Sequence, residues 1–255
     1  SRGFLLLQDF GEAIIQPLLN DQNMRDLYTK AETIILDFQK IPQDDRIYPR
    51  YDEKMLRLEM NLFTEWFVNI LLGIEIQSRD RQIIEDLFEK LIESAIAQSQ
   101  VVVHKDYHSR NLMLLDDGQL GVIDFQDALV GPVTYDLVSL LKDCYLSWPS
   151  KIVDDRALNF MRCLSSRGSI HIESEADFLR SFDWMGLQRH IKVLGIFSRL
   201  ALRDKKPVYL QEIPRVISYV LDATARYPAL KAFEDWFRHR LLPNISGRID
   251  FTKSN

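Results

Sequence analysis

His104, Asp106, His108, Arg110 and Asn111 crowd into eight residues directly after three valines, Val101 to Val103. A β-branched run of this kind reads as a short buried strand. A strand that gives way to so many polar side chains has stopped packing and begun to present them. Asp106 and Asn111 stand five residues apart, and a second apolar stretch farther on ends in Ile123, Asp124 and Phe125. The spacing has a mechanical logic. An aspartate in a loop after a strand can orient an alcohol hydroxyl and accept its proton. The asparagine offers a neutral oxygen to a divalent cation. A hairpin can then return a second aspartate to the same place, where it can bind the magnesium that bridges ATP phosphates. Hard oxygen ligands suit magnesium, whereas a zinc site would draw on more histidine or cysteine.

Each of these residues also has a plainer reading. Asp106 alone could cap a turn, a place that aspartate favours; the company of Asn111 and Asp124 is what turns it toward catalysis. His104 and His108 read as structural, bonding the loop backbone. Arg110 lies near phosphate or is simply solvated. Asp127 touches the metal or a substrate hydroxyl, or closes a loop. Asp136 precedes an apolar segment and reads as a helix N-cap or first-turn acid. Cys144 and Cys163 are packing residues, too few for a disulfide framework and too far apart for a C-x-x-C site.

The elements that must position this chemistry follow from periodicity. NLMLLDDGQLGVIDF reads as short strands around a turn at Asp116, Asp117, Gly118 and Gln119. Elsewhere helical spacing dominates. Met55, Leu58, Leu62, Trp66 and Ile70 recur at three- and four-residue steps, as do Ile84, Phe88, Ile92 and Ile96, and later Leu187, Ile191, Leu194 and Leu202. Each set predicts one apolar face of a packed helix. The proline-containing stretches 41–49 and 205–214 read as loops. The fold class expected is α+β, predominantly helical, with a short β-hairpin at the functional loop.

Composition narrows the function classes. The 255 residues are 46% hydrophobic and 27% charged, the balance of a folded soluble protein. A net charge of -5 argues against a nucleic-acid partner, which calls for a basic face. No apolar run reaches the ~18 residues of a membrane span, and the two cysteines fit a reducing, cytoplasmic setting.

HKDYHSRN followed by VIDF resembles the catalytic loop and metal-binding segment of kinase-like phosphotransferases. The second histidine, His108, and the absence of a glycine after Asp124-Phe125 (Gln126 stands there) resemble the aminoglycoside phosphotransferase and choline kinase branch. So does GPVTYDLVSLL, residues 131–141. HKDYHSRNLMLLDDGQLGVIDFQDALVGPVTYDLVSLLKDCY and GLQRHIKVLGIFSRLALRD look most like the bacterial N-acetylmuramate/N-acetylglucosamine 1-phosphate kinase group. The resemblance implies the C-terminal lobe of a protein-kinase-like fold. ATP and Mg2+ would be its cofactors, Asp106 its base, and Asn111 and Asp124 its metal ligands. Asp136 would brace the catalytic loop.

The same resemblance implies that residues 1–12 are a hinge strand and linker, with Gln8, Asp9 and Phe10 offering backbone groups to adenine. Residues 13–255 would be the helical lobe, with its catalytic loop at 104–111 and metal-binding segment at 123–127. No glycine-rich loop occurs, and the chain opens on Ser1. The expectation is therefore that an N-terminal lobe is missing and that this fragment alone is incomplete as a kinase. The acceptor would be a small molecule, an amino sugar phosphorylated at its anomeric hydroxyl in cell-wall recycling. An aminoglycoside, another small alcohol, or an inactive binding module are the alternatives. Between residues 151 and 190 six acids balance six bases, which suits a neutral or acidic sugar better than a polycationic antibiotic.

Overall fold

The computed structural model describes residues 8–168 and 174–245. Residues 1–7 of the expected hinge strand lie outside the described residues. The chain runs through α1 (Met24–Phe38), α2 (Glu53–Leu62, continued by a π-helical turn Phe63–Leu71) and α3 (Ser78–Ala97). Four short strands follow: β1 (Gln100–Val103), β2 (Leu112–Leu114), β3 (Leu120–Val122) and β4 (Leu129–Pro132). The remainder is helical: α4 (Tyr135–Leu141), α5 (Ser150–Ser166), α6 (Glu175–Leu202), α7 (Ile213–Arg226), α8 (Lys231–Trp236, continued by a π-helical turn Phe237–Leu241) and α9 (Leu242–Ile245).

The valine run is β1, as its β-branching predicts. It pairs antiparallel with β4, Val103 opposite Leu129. The predicted turn at 116–119 closes β2 onto β3, with Leu112 opposite Val122, and Gly118 takes the positive φ of 77° that the turn requires. Residues 13–15 lie along this hairpin, the Ile15 amide donating to Leu112 and the Leu114 amide to Ala13. These two small sheets carry the functional loop between them.

The helices share one continuous hydrophobic core, and α6 runs through it against α2, α3, α4, α5 and α7. Its start is fixed by Ser174, whose hydroxyl accepts from the Asp177 amide at 3.1 Å, with Glu175 and Asp177 in the favourable first turn. Among the described residues no helix is long and apolar enough to cross a membrane.

Two readings of periodicity change. In α2 the buried stripe is Leu56, Met60, Phe63 and Phe67, while Leu58 is 68% exposed and Ile70 48% exposed. The 55–71 run holds two interleaved apolar stripes, so spacing alone selected the wrong one. The i to i+5 register of the π-helical turn then moves the buried face on to Leu71. In α3 and α6 the predicted faces are buried except at their last members, Ile96 and Leu202, which are exposed at the helix ends. The stretch 205–214 is a 3-10 turn, Pro207–Glu212, leading into α7, whose first turn accommodates Pro214 because the amide there needs no helical partner.

The crossing of α6 over α2 depends on Gly195. A Cβ there would lie 2.3 Å from the Leu62 carbonyl carbon and 2.6 Å from the Phe63 amide nitrogen, backbone atoms that cannot step aside. At Gly186 the nearest atom would be 3.4 Å away, on the flexible Lys142 side chain. Gly195→Ala is therefore expected to lose stability at or above the top of the roughly 1–3 kcal/mol range for overpacking. Gly186→Ala should stay within about 1 kcal/mol of the parent, helped by the better helix propensity of alanine. Urea unfolding followed by circular dichroism compares the two.

Candidate functional site

β1 delivers the chain into the loop 104–111, and the two ends of α4 hold that loop. Asp136, fully buried in the first turn of α4, accepts the backbone amides of His104 at 2.7 Å and Lys105 at 3.0 Å. Lys105 adopts a left-handed φ of 77°, strained for a side-chain-bearing residue, and the Asp136 clamp holds it there. Burial pushes the Asp136 carboxyl up to about 7 against the pull of those two N–H donors. Just past the other end of α4, buried Asp143 accepts both the amide (2.9 Å) and the hydroxyl (2.5 Å) of Ser109. Tyr107 is buried beneath the loop and donates to the Ala31 carbonyl at 2.9 Å.

His104 ties the loop to the hairpin. Its Nε2 lies 2.9 Å from the Ile123 carbonyl, which can only accept, so Nε2 carries the proton. Burial keeps its pKa below the ordinary histidine value. His108 sets its ring edge-on to Tyr145, 5.4 Å between centroids, and burial lowers its pKa too. Arg110 stacks its guanidinium on the Tyr145 ring at 3.4 Å and donates to Gln16, so it is held rather than freely solvated.

The geometry brings Asp106, Asn111 and Asp124 to one cleft of about 270 Å³. Asn111 donates from Nδ2 to the Asp106 carbonyl at 2.9 Å and lies 3.5 Å from the Asp124 carboxylate. Asp124 has a left-handed φ of 67° and accepts from Gln126 at 2.6 Å. Among the described residues no cluster of three or more histidine, cysteine, aspartate or glutamate side chains could hold a metal ion. The Asn111–Asp124 pair therefore suits a hard cation that takes most of its oxygens from phosphates and water, as magnesium does, better than a metal caged by protein.

The half-buried Asp106 carboxylate makes no hydrogen bond to the described residues and opens into the cleft. Burial pushes its pKa up, but Lys192, Arg189, His108 and Lys105 together outweigh this, and it titrates below the ordinary aspartate value. Its depressed pKa contributes stability above the unfolded value, which is lost as pH falls through the folded one.

The cationic wall was not legible from motif spacing. Arg189 and Lys192 lie one turn apart on α6 and are buried. Lys192 pairs with Glu59 at 3.0 Å and approaches the Tyr135 hydroxyl at 3.3 Å. Glu59 also meets Lys105 at 3.2 Å and accepts a short hydrogen bond from Tyr51, itself bonded by Gln188. The available signal was charge inside an apolar helix: QRHIK, residues 188–192, is polar at four positions where every neighbour is core.

Other expected residues lie elsewhere. Asp127 is exposed on the turn after Asp124 and does not line the cleft. Gln8 and Asp9 are exposed, Asp9 capping the Gly11 amide at 2.8 Å. Phe10 lays its ring on Gly121 of β3, where a Cβ would come within 2.7 Å of it. None of these three lines the cleft around Asp106.

A family model described as the phosphotransferase enzyme family matches residues 3–162. The N-acetylmuramate/N-acetylglucosamine kinase of Pseudomonas putida is 42% identical over 230 residues, covering 90% of this chain and 67% of that protein. The enzyme of that name from Neisseria meningitidis is 39% identical, covering 89% and 69%. Among solved structures, an ethanolamine kinase of Plasmodium vivax superposes with a TM-score of 0.56 at 14% identity, covering 89% of this chain and 64% of that one. The GDP complex of aminoglycoside 2'-phosphotransferase-IIIa gives 0.53 at 16%, covering 86% and 69%. These two share the fold. The expectation of a missing N-terminal lobe finds no support in the alignments to the relatives.

The field around Asp106 can be measured directly. Carbon-detected NMR titration should find its carboxyl below the ordinary aspartate range. Lys192→Gln, which keeps a donor for Glu59, should move it upward. An unmoved titration would mean that Lys192 does not set the charge state of Asp106.

Proposed function

Because the chain belongs to the phosphotransferase enzyme family, we propose that it is an ATP-dependent kinase of an amino sugar, acting on the anomeric hydroxyl of N-acetylmuramate or N-acetylglucosamine. The observation that carries the reading is the Asp106 carboxylate. It is kept ionised and free of hydrogen bonds in a cleft that also presents Asn111 and Asp124.

In the proposed reaction the sugar hydroxyl donates a hydrogen bond to Asp106, which aims its oxygen at the terminal phosphorus of ATP. The new oxygen–phosphorus bond forms as the bond to the departing ADP oxygen breaks, and the hydroxyl proton passes to Asp106. A carboxylate with a depressed pKa is a weak base. It therefore orients first and takes the proton late, when the hydroxyl has become acidic through its bond to phosphorus. The anomeric hydroxyl is the most acidic of a sugar, which suits so weak a base. Asn111 and Asp124 would hold magnesium, and that ion when bound supplies charge neutralisation for the phosphates.

Two cations, Arg189 and Lys192, stand in the cleft wall. A polycationic aminoglycoside would meet them with repulsion, so they favour a neutral or acidic acceptor. The hinge role of Gln8, Asp9 and Phe10 belongs to this proposal as well, through their backbone groups alone.

Asp106→Asn in the full-length protein should lower turnover by about 10²- to 10⁴-fold while nucleotide binding persists. Phosphorus NMR of the product should place the new phosphate on the anomeric carbon. Unchanged turnover removes Asp106 from the role, and phosphate elsewhere on the ring refutes the anomeric assignment. Asp124→Asn should raise the magnesium concentration needed for half-maximal turnover by about tenfold or more. An unaltered magnesium requirement removes Asp124 as a ligand.

A further inference from the structure

Arg189 is a buried guanidinium, 4% exposed, without a carboxylate within 4.0 Å among the described residues. Its one hydrogen bond among the described residues is from Nη1 to the Cys144 sulfur at 3.5 Å. Burial pushes that thiol up to about 11, so Cys144 stays neutral and does not balance the charge. Burying an unpaired cation is expensive, and proteins ordinarily pair such groups. The contrast is close at hand. Lys192, one turn along the same helix, is matched by Glu59 at 3.0 Å, and Lys142 by Asp183 at 2.6 Å.

The position of Arg189 says what is missing. Arg189, Lys192, Val193, Ile196, Phe197 and Leu200 form one stripe of α6 along the wall of the cleft. Arg189 stands at its end, beside Asp106 and Cys144. Burial works against its charge, and the carboxylates of Asp106 and Asp143 support it from beyond ion-pair distance. On the proposed reading Asp106 holds the acceptor hydroxyl, and Arg189 lines the same cleft as Asp106, in the wall against which the acceptor would bind. A guanidinium with free N–H donors is shaped for a planar, bidentate carboxylate.

We infer that Arg189 recognises a carboxylate on the acceptor, so that the cleft prefers an amino sugar with an acidic substituent over its neutral counterpart. The inference rests on the amino-sugar kinase reading. N-acetylmuramate carries its lactyl carboxylate on the same ring as the reacting hydroxyl, and N-acetylglucosamine lacks it.

The test is a two-by-two comparison of kcat/KM in the full-length protein with N-acetylmuramate and N-acetylglucosamine, before and after Arg189→Met. The expected result is that the variant loses about 10- to 100-fold more on N-acetylmuramate than on N-acetylglucosamine, the range for a charge-assisted pair. Arg189→Lys, which keeps the charge and loses the fork, should recover part of the preference. Should Arg189→Met fail to fold, the parent protein is tested with N-acetylmuramate against its neutral carboxamide, which should be the poorer substrate by a similar factor. Equal losses on both sugars, or a carboxamide as good as the acid, overturn the role of Arg189 and leave the kinase reading standing. A parent protein that phosphorylates neither sugar overturns the kinase reading, and the inference with it.

Discussion

Two backbone amides donating to one buried carboxylate are what the site depends on. Asp136 accepts from His104 and Lys105, and this holds the chain in a left-handed turn where β1 ends. That turn swings the following residue, Asp106, out of the strand direction and into the cleft. Asp143 repeats the device on the Ser109 amide and hydroxyl. Both acids flank one short helix, α4, so a single rigid element fixes both ends of the loop. Burial works against the ionised form of Asp136, and the pair of N–H donors, with the charge of Arg189, opposes it. A loop held in this way is fixed by the protein's own groups, the kind of preorganisation that makes a polar site effective.

The electrostatics of the cleft extend the same logic. A lone half-buried carboxylate would drift toward its neutral form. Lys192, Arg189, His108 and Lys105 prevent this for Asp106. Their own charges must be managed in turn. Glu59 serves Lys105 and Lys192 together and takes a hydrogen bond from Tyr51, so that part of the network is internally balanced. Arg189 is balanced only in part, by the distant field of Asp106 and Asp143. The cleft is thus arranged to keep one carboxylate charged.

The stretch 101–124 was legible because its signals are local. A β-branched run, a polar loop and a two-strand hairpin with an Asp-Gly turn each lie within a few residues of chain, and the structure has each of them. The helices were legible as helices, yet the inward face of α2 was misassigned. Leu58 and Leu56 are equally apolar, and what separates them is the π-helical turn and the contact of Gly195 with the backbone at Leu62 and Phe63. Such a contact joins residues far apart in sequence, and no window of spacing contains it.

By itself the sequence determined which residues could do the chemistry and in what order they lie along the chain, because a strand, a loop and a hairpin are short-range consequences of side-chain shape and turn preference. It also determined the family, through the loop and hairpin motifs. Only the tertiary structure decided that α6 lays Arg189 and Lys192 beside Asp106, that Glu59 answers one of these cations and that, among the described residues, no carboxylate lies within 4.0 Å of the other. It decided too that Asp127 is exposed outside the cleft lining and that Arg110 is held on Tyr145. The reason is physical: charge and burial act through space, and in this chain the groups that set the state of Asp106 come from α6 and the loop 104–111, which meet only when the core closes.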